Sequence, residues 1–203
     1  MKGELEENML SEKLKNLYTE NRTLADEFPF DEYYPLLRNF LVQEINLGAE
    51  LLSPYRFAVT YGLSPRSSVR FFLGLADEEE IIYQYYKYEC EECNTTNIIK
   101  DEAELLDFKC KNCGFEDYLV KTEHLSEVKL LFKISGPLLE EIRNNLKELP
   151  LTEVSNFSST LDEGTLVSLS TLTEIANDGG RPISKLSESL QNRIEEYRQR
   201  AFL

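Results

Sequence analysis

The residues best suited to chemistry are four cysteines in the middle of the chain. They are all the cysteines of the 203-residue sequence, and they form two Cys-x-x-Cys pairs separated by sixteen residues: Cys90, Cys93, Cys110 and Cys113. A structural zinc ion takes four such ligands, and an intervening loop of about 15–20 residues lets two pairs meet across a hairpin. The spacing therefore predicts one structural Zn²⁺ per chain, bound by all four cysteines.

The residue that follows each pair supports this prediction. Asn94 follows the first pair and Gly114 follows the second. Asparagine and glycine are the residue types that most readily adopt the left-handed backbone conformation, which a tight metal-binding turn needs at its end. We therefore expect two similar turns.

Other uses of the four cysteines stay open on residue type alone. A rubredoxin-like iron centre takes the same thiolates, although nothing else in the sequence indicates electron transfer. A redox-active pair needs a helix start in a strand-helix-strand unit, whereas both pairs lie between predicted strands. Disulfides are disfavoured in a reducing cytosol. Zinc is the preferred interpretation.

Composition limits the classes of function. The formal net charge is −15, which disfavours a protein whose main affinity is for the phosphate backbone of nucleic acid. The apolar runs are far shorter than the roughly 20 residues that span a bilayer, and the charged start "MKGELEENMLSEKL" does not resemble a signal peptide. We expect a cytoplasmic protein without a membrane partner.

Amphipathic helices are predicted at both ends of the chain. Apolar residues recur at helical spacing over residues 4–20, and a second helix is expected after Asp31 as its N-cap. A terminal helix is predicted around Leu190 and Ile194. Because each end helix carries a long apolar stripe, self-association into a homo-oligomer through these helices is a further expectation.

Two short helices in tandem are predicted between the first helices and the cysteines. Ser53-Pro54 and Ser64-Pro65 each combine an N-cap residue with proline at the first helical position, and Gly62 lies where the first helix must end. The β-branched and aromatic segment "IIYQYYKY" then reads as a strand, as does "SEVKLLFKIS" after the cysteines. This order is typical of a winged helix.

Several residues carry a resemblance to known protein families. They are Pro54, Ala58, Gly62, Val69, Leu73, Tyr88, the four cysteines and "SEVKLLFKI". In this pattern the chain resembles bacterial winged-helix and zinc-ribbon regulatory modules, such as the N-terminal regions of some nucleotide-cyclase-like proteins. It resembles the transcription factor E family more weakly. The expected fold class is α+β: a winged helix fused to a four-cysteine zinc ribbon, with flanking amphipathic helices. The expected segments are a helical N-terminus (1–28), a winged helix (29–89), a zinc ribbon with its closing strand (90–135) and a helical C-terminal region (136–203).

A DNA-binding surface and a protein-binding surface compete as interpretations of this architecture. Residues 51–76 contain no acidic residue, and Arg56, Arg66, Ser67 and Arg70 are candidate contacts, with residues 65–76 as the helix that would enter a major groove. Against this, "DEEE" follows directly and would repel phosphates. We therefore expect a regulatory or adaptor protein that binds a protein partner, with sequence-specific DNA binding as the alternative.

Three further features bear on function. Tyr83 and Tyr85 share one side of the predicted strand, where they could contact a partner or a base, or pack against the ribbon. The sequence holds no P-loop, dinucleotide fingerprint or nucleophile elbow, so no enzymatic activity and no catalytic residue are predicted. The single histidine, His124, is expected in a surface loop because four cysteines leave it no metal to bind.

Overall fold

The computed structural model describes residues 9–77, 79–147, 166–176 and 181–201. The fold is α+β. The helices are α1 (Met9–Glu20), α2 (Arg22–Glu27), α3 (Phe30–Asn46), α4 (Pro54–Tyr61), α5 (Pro65–Leu75), α6 (Glu102–Leu106), α7 (Gly136–Lys147), α8 (Leu169–Ala176) and α9 (Lys185–Ala201). The strands are β1 (Leu51–Leu52), β2 (Ile82–Glu89), β3 (Thr96–Ile99), β4 (Phe108–Lys109), β5 (Glu116–Asp117), β6 (Lys129–Ile134) and β7 (Val167–Ser168).

An antiparallel sheet organises the centre of the molecule. Its strand order is β1-β6-β2-β3, and β7 adds a short pairing to β6. Strands β4 and β5 pair separately. Residues 90–128, which include all four cysteines, connect β2 to β6, so the cysteine segment is an insertion between two neighbouring strands of the sheet.

The two tandem helices begin and end where the sequence predicts. Ser53 accepts a hydrogen bond from the Arg56 N–H, and Ser64 accepts one from the Ser67 N–H. Gly62 closes α4 in the left-handed conformation with φ 64°. These starts and stops could be predicted because capping depends on residues within one turn of the helix end.

The predicted N-cap of α3 is wrong by two residues. Pro29 occupies the N-cap position, and Asp31 lies inside the first turn. There its carboxylate still interacts favourably with the positive end of the helix dipole.

One hydrophobic core extends through all four segments expected from the sequence. It includes Leu14 of α1, Phe40 of α3, Leu130 of β6, Leu172 of α8 and Ile194 of α9. The apolar stripes of both terminal helices are thus used inside the chain. The polar stretch around Pro150, where a domain boundary is expected, lies outside the described residues.

Helix α5 is covered by remote parts of the chain. Residues 68, 69 and 71–75 are all buried. A Cβ atom added at Gly74 would lie 2.6 Å from Leu24 Cδ1 and 3.2 Å from Ile183 Cγ1. Gly74 therefore allows α2 and the segment before α9 to approach α5 closely. In the described part of the chain, no helix has the length and apolar character needed to cross a membrane.

Candidate metal centre and neighbouring surfaces

Two nearly identical turns carry the four cysteines. In the first, Cys90 accepts a hydrogen bond from the Asn94 N–H at 2.8 Å; in the second, Cys110 accepts one from the Gly114 N–H at 3.0 Å. Asn94 has φ 54° and Gly114 has φ 76°, so both residues adopt the predicted left-handed conformation. The first turn connects the paired strands β2 and β3, and the second connects β4 and β5.

The turns bring the four sulfur atoms together. Cys90 Sγ lies 3.7 Å from Cys113 Sγ, and Cys93 Sγ lies 3.6 Å from Cys110 Sγ. All four lie within 4.8 Å of one another. A tetrahedral ion with metal–sulfur bonds of about 2.3 Å needs sulfur–sulfur separations of about 3.8 Å. The cluster is therefore compatible with a metal site.

Polar neighbours favour the thiolate form of two of these cysteines. The Thr95 hydroxyl lies 3.3 Å from Cys93 Sγ, and hydrogen bonds from the Thr95 and Asn112 side chains lower the pKa of Cys93 to about 6. The Cys113 backbone N–H is the main cause of a lowered pKa at Cys110. Because metals bind the thiolate and not the thiol, these hydrogen bonds suit metal ligands, whereas burial raises the pKa of Cys90 and, with the neighbouring thiols, the pKa of Cys113.

Asn97 of β3 links the two turns. Its side chain is buried, with its Nδ2 2.8 Å from the Thr95 carbonyl and 3.7 Å from Cys110 Sγ, and its Oδ1 accepts the Lys111 N–H at 3.2 Å. Sequence reasoning did not select Asn97. A usable signal exists, because Asn97 is a polar residue at an inward-facing position of β3, two residues before the buried Ile99.

The predicted surface position of His124 is wrong. Its side chain is 3% exposed, and its ring packs edge-on against Tyr88 with 5.7 Å between ring centroids. Four carboxylates surround the ring, from Glu91, Asp117, Glu123 and Glu127. Residues from distant parts of the chain create this environment, so the local sequence around His124 did not reveal it.

Hydrogen bonds stabilise the ionised form of one of these carboxylates, Asp117. Burial alone would raise the pKa of Asp117, but hydrogen bonds from the Lys121 side chain, the Tyr118 N–H and His124 outweigh burial and lower it. Asp117 is thus an ionised acceptor on the Nε2 side of the ring.

The candidate arginines do not form one basic surface. Arg56 pairs with the buried Glu44 at 2.8 Å. Arg66 donates to the Glu174 carbonyl at 3.2 Å. Arg70 makes a bidentate pair with Glu27 at 2.5 and 2.6 Å and donates to the Arg181 carbonyl at 2.8 Å. Ser67 contributes its N–H to the cap of α5. Each arginine thus bonds to an acceptor within the chain.

The candidate tyrosines lie together on the face of the sheet turned away from the core. Their rings are parallel, with 6.2 Å between centroids and 6° between planes. Directly paired residues of antiparallel strands point to the same face. The register therefore adds further residues, and we call this set the outer sheet face: Leu51, Tyr83, Tyr85, Lys87, Ile98, Lys129, Leu131 and Lys133.

We compared the chain with protein-family models, curated proteins and solved structures, and no family model, curated protein or solved structure matches it. Function is therefore inferred from the geometry of the cysteine cluster and of the surfaces beside it.

Proposed function

We propose that this chain is a non-enzymatic regulatory or adaptor protein, in which a zinc ribbon inserted into a winged helix supports a protein-docking face. The observation that carries this proposal is the outer sheet face. In a chain of net charge −15, this face carries three lysines beside two stacked tyrosines.

The strand order supports the winged-helix part of the proposal. A winged helix places a helix-turn-helix before a β-hairpin whose strands join an earlier short strand. Here α4 and α5 precede β2 and β6, and β6 pairs with both β2 and the earlier β1. The cysteine segment occupies the place of the wing between β2 and β6.

Zinc is the metal that best suits the four-cysteine cluster. The donor set is entirely thiolate, and the sulfur separations fit a tetrahedral site, which together favour zinc among the common metals. Four protein ligands leave no coordination position for substrate, so the ion is proposed as structural. It would hold the two turns together and support the neighbouring end of β2.

The partner proposed for the outer sheet face is an acidic segment of another protein. Lys87 lies directly opposite Lys129 in the sheet, so two lysines are paired on this face. Tyr83 lies opposite Lys133, which pairs with Glu50 at 3.7 Å at the edge of the face. Aromatic rings provide contact area at low entropic cost, and lysines attract carboxylates. The two features together suit an acidic peptide containing apolar side chains.

Duplex DNA binding through α5 has less support. Arg66 and Arg70 bond to Glu174, Glu27 and Arg181 of the same chain, and most of α5 is buried. Reading a major groove needs an exposed helix face with free side chains. DNA binding would therefore require the segment before α9 to leave α5.

A binding titration separates these possibilities. The probes are a fluorescent peptide of alternating glutamate and leucine, a random duplex and a random single-stranded oligonucleotide. We expect the peptide to bind most tightly, and we expect Tyr83→Ser with Tyr85→Ser, or Lys87→Glu with Lys133→Glu, to weaken binding at least about tenfold. Tighter binding of duplex DNA that is lost in Arg66→Ala with Arg70→Ala would overturn the docking proposal, as would a preference for the single strand.

A matched charge reversal away from the sheet controls for nonspecific attraction. Lys109 and Arg181 have side chains that are 67% and 69% exposed, and each makes a surface ion pair. Lys109→Glu with Arg181→Glu changes the net charge as much as Lys87→Glu with Lys133→Glu. Equal weakening by both double variants would contradict a specific site on the outer sheet face.

A further inference from the structure

The imidazole of His124 is buried among carboxylates that approach both ring nitrogens. Nδ1 lies 3.1 Å from Glu91 Oε1 and 3.4 Å from Glu127 Oε2. Nε2 lies 3.1 Å from Asp117 Oδ2. Two carboxylate oxygens thus lie close to Nδ1, and a third carboxylate contacts Nε2.

Asp117 orients the ring. It is fixed by an ion pair with Lys121 and by the Tyr118 N–H, which donates to its Oδ1 at 2.7 Å. A carboxylate on Nε2 keeps the proton of a neutral imidazole on that nitrogen and leaves the lone pair on Nδ1. This arrangement of carboxylate and histidine is the usual support for a metal-binding imidazole.

In that neutral tautomer, Nδ1 and the oxygens of Glu91 and Glu127 face one another with no hydrogen-bond donor among them, so either a second ring proton or a metal cation must supply positive charge. The Nδ1 lone pair and the oxygens of Glu91 and Glu127 all carry negative charge density, and they repel one another unless positive charge lies between them. The nearby Tyr88 hydroxyl does not supply it, because it donates to Glu91 Oε1 at 3.4 Å. The His124 side chain is only 3% exposed, so the ring itself is away from water, whereas the two carboxylates are about half exposed.

We propose that Glu91, His124 and Glu127 form a second metal site, which binds a divalent transition-metal cation through one imidazole nitrogen and two carboxylates. The site shares no ligand with the four-cysteine cluster. None of its ligands belongs to the outer sheet face, although Lys87 and Lys129 of that face line the neighbouring cavity.

The ligand separations suit such an ion. Bonds of about 2.1 Å to nitrogen and oxygen require ligand atoms about 3.0 to 3.4 Å apart in octahedral or tetrahedral geometry. The two distances from Nδ1 are 3.1 and 3.4 Å. The three ligand atoms all lie within 4.8 Å of one another. Mixed imidazole and carboxylate ligands favour Zn²⁺, Mn²⁺ or Fe²⁺ over calcium or magnesium.

An ion can reach this site from solvent. Glu91 and Glu127 both line a surface cavity of about 290 Å³, and their side chains are 51% and 50% exposed. The cavity walls carry three carboxylates, including Glu89, against the two ammonium groups of Lys87 and Lys129. The cavity is therefore acidic as a whole, and water can fill the remaining coordination positions.

Manganese titration of the full-length, zinc-loaded protein tests the proposal. Mn²⁺ binds thiolates weakly and leaves zinc in the four-cysteine cluster. Free Mn²⁺ is counted by electron paramagnetic resonance, and the ring signals of His124 are followed by NMR. The chain has a single histidine, so these signals need no assignment. We expect one Mn²⁺ per chain and loss of the His124 signals by paramagnetic broadening.

Charge-neutral variants identify the ligands. Glu91→Gln with Glu127→Gln should lower Mn²⁺ affinity at least about tenfold. Glu89→Gln removes a carboxylate from the same cavity outside the cluster and should retain the affinity. Because Glu91 adjoins the cysteines, Glu127→Gln alone is the second variant if the double variant loses zinc or structure.

Three outcomes would overturn the second site. The first is the absence of Mn²⁺ uptake up to about 1 mM, which is the range of weak carboxylate sites. The second is equal Mn²⁺ uptake by the wild type and by Glu127→Gln. The third is NMR signals that show protons on both ring nitrogens when Mn²⁺ or excess Zn²⁺ is present. The last outcome would make His124 the cation of an ion-pair cluster. Zinc content measured on every sample keeps failure of the four-cysteine site distinguishable from failure of this one.

Discussion

The buried amide of Asn97 lies 3.7 Å from the sulfur of Cys110 and also bonds to both cysteine turns. One side chain of β3 thus couples the position of the first turn to that of the second. Hydrogen bonds to a metal-binding sulfur orient it and stabilise its negative charge. Asn97 is therefore the residue outside the cysteines that we expect to matter most for metal binding.

Replacing Asn97 tests this coupling. Asn97→Ala should lower zinc affinity by about 10–100-fold, the effect typical of losing a hydrogen bond to a ligand. Competition with a chromophoric chelator measures the affinity. Thr96→Ala changes the exposed neighbour on the same strand and serves as the control. Unchanged zinc affinity in Asn97→Ala would show that the amide only fills space.

The left-handed turn at Gly114 gives a second prediction. Gly114 has φ 76° and no atom within 4 Å of an added Cβ, so Gly114→Ala meets backbone strain and no steric clash. We expect the free energy of unfolding of the metal-loaded protein to fall by about 1 kcal/mol. Gly136→Ala is the matched control, because its surroundings are equally open and its φ is not positive. Urea unfolding of both variants makes the comparison, and equal stabilities would contradict the turn assignment.

The Arg70–Glu27 pair gives a third prediction. The Arg70 side chain is only 12% exposed and bonds to both carboxylate oxygens of Glu27. Arg70→Ala should lower the free energy of unfolding by about 2 kcal/mol, since charged hydrogen bonds away from water are lost. Lys109→Ala breaks an ion pair between side chains that are 67% and 63% exposed, so it should change the free energy of unfolding much less than Arg70→Ala does. Equal losses in urea unfolding would mean that Arg70 does not hold α2 against α5.

The Arg56–Glu44 pair gives a prediction with a defined pH dependence. Burial raises the pKa of Glu44, and the charge of Arg56 partly offsets the rise. In Arg56→Ala the offset is lost, so the pKa rises further. A carboxyl group whose folded-state pKa exceeds its unfolded value favours folding when protonated, and this stability is lost as pH rises through the folded pKa.

The penalty of Arg56→Ala should therefore be small near pH 4 and larger at pH 7, where we expect about 2 kcal/mol. Denaturant unfolding at the two pH values measures it. Adding Glu44→Gln to Arg56→Ala removes the titrating group, so the difference between the two pH values should disappear. A penalty that is greater at pH 4 would contradict this account of the pair.

Features determined by a few neighbouring residues could be predicted from the sequence. The caps at Ser53 and Ser64, the left-handed Gly62 and the two cysteine turns all depend on contacts within about one turn of chain. Strand β6 was predicted for a similar reason, because strand propensity depends on the residue types of a short segment. The four-cysteine cluster was found because ligand spacing is itself local.

Features that depend on distant residues were missed. Burial of His124 requires Glu91, from the first cysteine turn, to approach it. Arg70 of α5 can bond to the Glu27 carboxylate and the Arg181 carbonyl only because the fold brings both of these distant segments against α5. An acid-free window suggested a basic surface at residues 51–76, but its arginines bond to carboxylates and carbonyls from elsewhere in the fold. The spacing of residues along the sequence does not indicate such contacts between distant segments.

The central claim is one structural zinc ion held by Cys90, Cys93, Cys110 and Cys113. The most direct measurement is the zinc content of the purified full-length protein. The protein is first exchanged against a weak chelator that removes carboxylate-bound ions. The thiols that react with a disulfide reagent are counted on the same sample. We expect one zinc per chain and four protected thiols, with both lost in Cys90→Ser with Cys110→Ser. Less than about half an equivalent of zinc, or zinc retained by that double variant, would contradict the claim.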